Sequence, residues 1–255
     1  VICFSILYFI FVKERVTCKD MFRLAICAVF GVAINQLFFF EGLNLTTPIN
    51  ASIIMTTNPV LVMIMSALIL FEKINLRKGL GIALGLIGAS ILILNKGSLS
   101  RDANYMLGNI FVFVNACSYG LYLVLVKPLM KRYHPLTVMF YVFLFGLFYV
   151  IPFGYYQLIE IEWVSLPKKI IWEVIFVVIC TTIIAYLLNT LALKHLNAST
   201  VSIYIYVQPV LATIFAILNN SDQLDGIKII SAGIIFAGVY LVSISSITQK
   251  KQKLS

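Results

Sequence analysis

The chain has 255 residues, of which 61% are hydrophobic and 11% are charged, and its formal net charge is +9. Soluble domains carry about 25% charged residues, so this composition excludes an ordinary soluble domain and predicts an all-α polytopic membrane protein. A basic balance can indicate nucleic-acid binding in a soluble protein. Here the basic residues lie in short clusters between apolar runs, where they set membrane topology, so we expect no nucleic-acid partner.

Neither an enzyme nor a metal or cofactor site is indicated. The five cysteines are scattered and have no C-x-x-C spacing, which argues against a disulfide framework and against a metal site. His134 and His195 lie in basic loops without a nucleophile and a carboxylate arranged around them. No phosphate loop or dinucleotide fingerprint occurs. We therefore expect no catalysis, no metal and no cofactor.

The apolar runs predict eight complete membrane spans and one partial span. Val1–Val12 is too short to cross a bilayer and is interpreted as the end of a span that begins before the given sequence. A turn is predicted from Glu41 to Pro48. The complete spans, each near the roughly 20 residues that cross hydrocarbon, are Met21–Phe40, Ile49–Phe71, Gly79–Leu94, Met106–Val126, Leu136–Gln157, Ile170–Leu191, Ala198–Leu218 and Gly226–Ser246.

The second half of the chain repeats the first half without gaps, so that equivalent residues are always the same number of positions apart. This number, which separates Pro59 from Pro209, is the repeat offset. The predicted repeats are 1–95 and 106–246, followed by a basic tail at 247–255. Completing the first repeat to the length of the second adds one helix and part of another. We therefore predict a ten-helix inverted repeat of five plus five helices, in which the first helix and part of the second lie outside the sequence. The matches include Ser52-Ile53 with Ser202-Ile203, Pro59-Val60-Leu61 with Pro209-Val210-Leu211, and Gly88 with Gly238.

The placement of lysine and arginine predicts the orientation. If the loop at Lys13–Arg23 is cytoplasmic and the spans alternate from there, most of the 19 basic residues and the C-terminus lie on the cytoplasmic side. Because each repeat has an odd number of helices, the two copies have opposite orientations. This inverted-topology repeat is typical of many secondary transporters.

A set of motifs runs through both halves of the chain. These are Asn35-Gln36-Leu37-Phe38-Phe39-Phe40-Glu41-Gly42-Leu43, Thr47-Pro48-Ile49-Asn50-Ala51, Thr56-Thr57-Asn58-Pro59-Val60, Glu72-Lys73, the series Gly81, Gly85 and Gly88, Ala198-Ser199-Thr200, and Gln208-Pro209-Val210. Together they resemble the EamA family of the drug/metabolite transporter superfamily. The resemblance implies a central cavity and export or exchange of small metabolites, and we expect a bacterial inner (plasma) membrane. Asp222 departs from the glutamate that is usual after the ninth family helix.

Two helix interruptions are predicted at equivalent places in the repeats. Pro59 and Pro209 each remove a backbone donor inside an apolar run, so the helix must kink or open there. The freed carbonyl group needs a partner within hydrocarbon. Asn58 and Gln208 immediately precede these prolines, and each amide either lines a cavity or bonds to a neighbouring helix. Thr57 either lines the cavity or bonds back to its own helix.

Other cavity candidates are polar residues within apolar spans, most of them paired at helical spacing. Asn35 and Gln36 point about 100° apart, so only one of the two is expected to face the cavity. Tyrosines also occur at membrane interfaces because of their affinity for lipid headgroups. The remaining candidates are Asn115 with Tyr119, Tyr186 with Asn189, and Tyr204 with Gln208.

The glycine-rich helices suggest close packing. Gly81 and Gly85 form a G-x-x-x-G motif, which allows two helices to approach closely, either within the chain or in a homodimer.

The functional prediction is an integral membrane secondary transporter, an exporter or exchanger, that works by alternating access between the two inverted repeats. The candidate residues are uncharged and the acidic residues fall at or near predicted span ends. This favours a neutral or zwitterionic small-molecule metabolite and argues against a carboxylate proton relay. The alternative is a non-transporting membrane module, such as a lipid scramblase or an assembly partner.

Overall fold

A computed structural model describes residues 1–46, 48–94, 103–161, 166–218 and 226–252. Every regular element within these ranges is a helix. Six of the helices are long and apolar enough to cross a membrane. The predicted all-α membrane fold is therefore confirmed, whereas the count of ten helices stays a prediction.

The described residues of the first half form five α-helices. They are α1 (Ile2–Phe11), α2 (Cys18–Leu45), α3 (Pro48–Met55), α4 (Asn58–Leu70) and α5 (Leu76–Leu94). The start of α2 is fixed by Thr17, whose hydroxyl oxygen accepts a hydrogen bond of 3.3 Å from the backbone N–H of Asp20. This bond satisfies one of the backbone donors that every helix leaves unpaired at its start.

Six more α-helices lie within the described part of the second half. They are α6 (Ala103–Met130), α7 (Pro135–Glu160), α8 (Lys168–His195), α9 (Ala198–Ser202), α10 (Val207–Leu218) and α11 (Gly226–Gln252). Ile203–Tyr206 joins α9 to α10 as a tighter 3-10 turn. Each complete span predicted from the sequence lies on these helices, with ends that differ by a few residues.

The predicted turn between Glu41 and Pro48 begins too early. Helix α2 continues to Leu45, because Gly42 is a packing position and does not end the helix. A Cβ atom at Gly42 would lie 2.8 Å from the Cγ2 atom of Val112 in α6. The absence of a side chain therefore allows α2 and α6 to cross closely.

The helix bounds recur in the second half of the chain at the repeat offset. Helix α2 spans Cys18–Leu45 and α8 spans Lys168–His195, so both ends are shifted by that same spacing. The starts of α3 and α9, and those of α5 and α11, are related in the same way. Helix bounds therefore follow the sequence repeat even where few residues are identical.

A local irregularity recurs as well. Both α2 and α8 contain a π-helical segment, Val29–Ala33 in the first and Val177–Ile184 in the second. In such segments a backbone N–H bonds to the carbonyl five residues back. When the first segment is shifted by the repeat offset, it falls inside the second.

The chain divides into two compact units, and these are not the two predicted repeats. Unit 1 comprises Val1–Leu37 and Leu125–His195, and unit 2 comprises Phe38–Val124 and Leu196–Ser255. Each unit therefore contains helices from both halves of the sequence.

Unit 1 is built around α7. The ring of Phe140 stacks on Tyr8 of α1 with centroids 4.6 Å apart. Gly146 of α7 allows the side chain of Val32 in α2 to approach, since a Cβ atom at Gly146 would lie 2.7 Å from the Cβ atom of Val32. The unit thus packs α1 and α2 against one long apolar helix.

Unit 2 is built on the close packing of α5 against α11. A Cβ atom at Gly81 would lie 2.7 Å from the carbonyl oxygen of Gly238. One turn later, Gly85 receives the ring of Tyr206, which is fully buried. The G-x-x-x-G motif is therefore used for packing within the unit, and a homodimer through the glycine-rich helices stays a prediction.

Candidate functional site

The residues predicted to line a cavity fall into two groups, one in each compact unit. The group in unit 1 consists of Asn35, Gln36, Tyr186 and Asn189. The group in unit 2 consists of Thr57, Asn58, Pro59, Asn115, Tyr119, Tyr204, Gln208 and Pro209.

Three members of the unit 1 group meet at one point. The hydroxyl of Tyr186 donates to the carbonyl oxygen of Gly31 at 2.9 Å and lies 3.2 Å from Oδ1 of Asn35. The side chain of Gln36 also interacts with the hydroxyl of Tyr186. Asn35 is buried, whereas Gln36 and Tyr186 are partly buried. Asn189 follows Tyr186 by three residues on α8 and is partly buried as well.

The ring of Tyr186 is held from the side of α7. It packs edge to face against Phe143, with ring centroids 5.1 Å apart. One turn further along α8, the buried Thr190 has its hydroxyl 2.5 Å from the carbonyl oxygen of Tyr186 and 3.2 Å from Sδ of Met139. Packing against α7 thus fixes the backbone that presents the tyrosine.

Gln36 and Tyr186 occupy equivalent positions in the two repeats. The repeat offset relates Gln36 to Tyr186. Gln36 lies shortly after the π-helical segment Val29–Ala33, and Tyr186 lies shortly after Val177–Ile184. Their interaction therefore joins corresponding places of the first and second halves of the chain. Sequence pattern alone identified both residues as polar positions in apolar spans but did not indicate that they meet.

The first proline break lies between α3 and α4 in unit 2. Helix α3 ends at Met55, Thr56 and Thr57 form a turn, and α4 starts with Asn58 and Pro59. The hydroxyl of Thr57 donates to the carbonyl oxygen of Ile54 at 2.7 Å. One carbonyl group beside the break is thus paired by a side chain of the same segment, which is a common role of threonine hydroxyls.

Asn58 bonds to the neighbouring helix with one end of its amide only. The side chain is fully buried, and its Nδ2 group donates to the carbonyl oxygen of Ala116 in α6 at 3.1 Å. Its Oδ1 atom is buried and accepts no hydrogen bond from the part of the chain that the structure describes. Asn115, next to Ala116, is also buried, and Tyr119 lies one turn further along the same helix, partly buried.

The second proline break presents different side chains. The 3-10 turn at Ile203–Tyr206 leads into α10, where Pro209 is the third residue. Tyr204 is 49% exposed, and its hydroxyl lies 3.5 Å from the hydroxyl of Ser243. Gln208 is exposed. The structure thus leaves Tyr204 and Gln208 accessible while Tyr206 is buried against Gly85.

A buried ion pair in unit 2 was not predicted. Oε2 of Glu72 accepts hydrogen bonds from Nζ of Lys78 at 3.0 Å and from the hydroxyl of Ser199 at 2.8 Å. The Lys78 side chain is 1% exposed. A signal was present in the sequence, because the repeat offset relates Lys78 to Lys228, which is buried too. Asp222, the expected counterpart of Glu72, lies outside the described residues.

A buried lysine in unit 1 was also missed. Lys127 of α6 donates from Nζ to the carbonyl oxygen of Leu193 in the last turn of α8. A cation at this place complements the negative end of the helix dipole. Within the described ranges, no three histidine, cysteine or acidic side chains group in a way that could hold a metal ion.

Comparison with known proteins identifies a family and several related proteins. A family model described as the EamA-like transporter family matches residues 1–94 and 106–244. The uncharacterized transporter YyaM of Bacillus subtilis is 23% identical over 91% of this chain and 76% of that protein. An uncharacterized transporter of Archaeoglobus fulgidus is 27% identical over 88% of this chain and 77% of that protein. Protein WALLS ARE THIN 1 of Arabidopsis thaliana is 26% identical over 96% of this chain and 72% of that protein.

The fold is also known from experiment. A crystal structure superimposes with a TM-score of 0.74 and 19% identity, covering 92% of this chain and 79% of the other. The likeness extends over most of the described helices, six of which can cross a membrane. The family is one of transporters, which argues against an enzyme. The chain is an integral membrane protein and belongs to the EamA-like transporter family.

Proposed function

We propose that this protein is a secondary transporter, either an exporter or an exchanger, of a small neutral or zwitterionic metabolite. It acts in a bacterial inner (plasma) membrane and has its C-terminus in the cytoplasm. The observation that carries the proposal is the pair of helix interruptions at equivalent places in the two repeats, Thr56–Pro59 and Ile203–Pro209. Interrupted helices at membrane depth are tolerated where they are buried in protein or line a cavity, and they form the solute sites of many secondary transporters.

The chemistry of the candidate residues supports an uncharged or zwitterionic solute. Their polar groups are amides and hydroxyls, which supply donors and acceptors without net charge. Recognition of a phosphate group typically uses arginine or lysine. The buried Lys78 is paired with Glu72, and the buried Lys127 donates to a backbone carbonyl. The tyrosines add apolar surface, which suits a solute with an apolar part.

Two of the amide side chains have polar groups available for a solute. Oδ1 of Asn58 accepts no bond from the described residues, and Gln208 is exposed. A buried acceptor without a partner is costly, so a solute that donates to Asn58 would recover that cost. Alternating access between the inverted repeats would then expose the solute to each side in turn.

Transport in liposomes tests the solute class. The purified protein is reconstituted, and uptake of labelled amino acids, nucleosides and sugar phosphates is compared with uptake into empty liposomes. We expect flux of an amino acid or a nucleoside. Flux of sugar phosphates without flux of the other two classes would overturn the proposed class.

The double variant Asn58→Leu, Gln208→Leu tests the residues. Loss of one hydrogen bond to a solute lowers affinity about tenfold, so we expect transport to fall by about tenfold or more while the folded yield persists. Ser66→Ala is the matched control, because Ser66 is a fully buried polar residue on α4 whose hydroxyl has no partner among the described residues. Unchanged flux in the double variant would overturn the site, and lipid flipping without solute flux would favour a scramblase.

A further inference from the structure

We propose that Tyr186 is a positioning residue whose hydroxyl switches between two acceptors on α2, and that this switch sets the conformation of the π-helical segment in α8. The two acceptors are the carbonyl oxygen of Gly31 and Oδ1 of Asn35. We call the three residues the inter-repeat contact. The inference rests on the proposed function only in assigning the movement to a transport cycle, since the contact itself can be measured without a solute.

The position of the two π-helical segments is the first argument. Such segments hold well under 1% of residues in globular proteins and occur frequently at functional sites. Here Val29–Ala33 and Val177–Ile184 occur at equivalent places in the two repeats. Gly31 is the central residue of the first segment, and Tyr186 directly follows the second segment and Ala185. The inter-repeat contact therefore joins one segment to the other.

The difference in packing between the two segments is the second argument. In α2, Val32 packs against Gly146 of α7 and is buried. In α8, the segment Val177–Ile184 contains no buried residue. The first segment is thus held by a neighbouring helix, whereas no residue of the second is buried by the described chain. A segment without buried residues has little packing within the protein to oppose local opening.

Internal hydrogen bonds compensate for the irregular ladder in α8. The hydroxyl of Thr181 donates to the carbonyl oxygen of Val177 at 2.7 Å, and the hydroxyl of Thr182 lies 3.3 Å from the same oxygen. Threonine bonds of this type often accompany a bent helix. The segment can therefore change its backbone pairing without leaving that carbonyl group unsatisfied.

The chemistry of the hydroxyl is the third argument. A tyrosine hydroxyl has one hydrogen to donate, yet two acceptors lie within reach, Gly31 O at 2.9 Å and Asn35 Oδ1 at 3.2 Å. Rotation about the C–O bond moves the hydrogen from one acceptor to the other without loss of a hydrogen bond. Gly31 belongs to the π-helical segment of α2 and Asn35 lies beyond it, so only the first state ties Tyr186 to that segment.

Hydrogen–deuterium exchange of the reconstituted protein, without any solute, tests the inference in peptides that cover Val177–Ile184. Tyr186→Phe keeps the ring against Phe143 but removes the hydroxyl, so we expect exchange about fivefold faster. Asn35→Ala removes one of two competing acceptors, so the bond to Gly31 becomes more populated and exchange is expected to slow about twofold. Tyr149→Phe is the control and is expected to leave exchange unchanged, because Tyr149 is a partly buried tyrosine of α7 that lies outside the inter-repeat contact.

The opposite signs separate a switch from a merely structural bond. If both variants speed exchange, the contact is an ordinary network and the switch is wrong. If Tyr186→Phe leaves exchange unchanged, the hydroxyl does not hold the segment. A failure of the liposome assays to show solute flux would overturn the proposed function but would not alter these exchange rates.

Discussion

The two proline breaks in unit 2 occupy equivalent positions in the repeats, yet they bury different side chains. At the first break, Asn58 is fully buried and donates to Ala116. At the second break, the equivalent residue, Gln208, is exposed. Tyr206 is buried there, and Thr56, its counterpart in the first repeat, is buried as well. The repeat therefore preserves the backbone interruption and one buried position, but the amide is buried at the first break only.

Neighbouring glycines explain part of this difference. Gly120 of α6 lies opposite Val62 of α4, so the helix that follows the first break lies close to α6. Gly85 of α5 provides the space for the ring of Tyr206. The same interruption thus supports an amide in one repeat and an aromatic ring in the other, because each has a glycine on a different partner helix. Gln208 is consequently the more exposed of the two amides.

The largest expected effect comes from adding a charge at each break. Asn58→Asp removes the donor to Ala116 and places a carboxylate opposite a carbonyl oxygen in a fully buried position. A carboxylate at the centre of a membrane helix costs about 2.5–3.5 kcal/mol, so we expect a large loss of folded protein. Gln208→Glu at the exposed position is expected to be tolerated if the position faces a water-filled cavity.

Thermal unfolding in detergent, followed by size-exclusion chromatography, measures both variants. An equal loss of folded protein for Asn58→Asp and Gln208→Glu would contradict the comparison and would indicate that Gln208 faces lipid. Gln208→Asn keeps the amide without adding charge and serves as the control for the change in side-chain length.

The next effect concerns the glycines beside the breaks. A Cβ atom at Gly85 would overlap the ring of the buried Tyr206, whereas a Cβ atom at Gly120 would lie 3.2 Å from Cγ2 of Val62. Overpacking a well-packed core costs about 1–3 kcal/mol, so Gly85→Ala should clearly lower the unfolding temperature. Gly120→Ala should change it less. Equal shifts would mean that the second break is not packed more tightly than the first, and Gly79→Ala, at a glycine with open space around it, is the control.

Much of the fold could be predicted from the sequence because the apolar runs are long. The predicted spans all lie on helices, and the repeat offset recurs in the helix bounds. The turn predicted from Glu41 to Pro48 begins too early, because helix α2 continues to Leu45. Gly42 instead packs against α6, and such a contact between distant parts of the chain leaves no trace in local sequence.

The candidate site was less accessible to sequence reasoning. Asn58, Tyr186 and Gln36 were selected because they are polar residues in apolar spans, and that signal is local. The partners of Asn58 and Tyr186 include the carbonyl groups of Ala116 and Gly31, which belong to the backbone and can be contributed by any residue type. The π-helical segments were not predicted either, because Val29–Ala33 has no proline or unusual composition. Whether a helix forms a π-helical segment depends on how its side chains pack against the neighbouring helices.

The smallest expected effect separates the threonines that accompany the two breaks. Thr57 donates to the carbonyl oxygen of Ile54 at 2.7 Å, and Thr213 donates to that of Pro209 at 2.9 Å. Thr57 lies in the turn itself, where its bond supports a carbonyl beside the break, whereas Thr213 lies within the regular part of α10.

A hydrogen bond in a membrane helix is worth about 0.6 kcal/mol on average. We expect Thr57→Val to lower the unfolding temperature measurably and Thr213→Val to change it little, because valine has nearly the same shape and α10 keeps its backbone ladder. A larger loss for Thr213→Val would show that the second break, and not the first, depends on its threonine for the pairing that the proline removes.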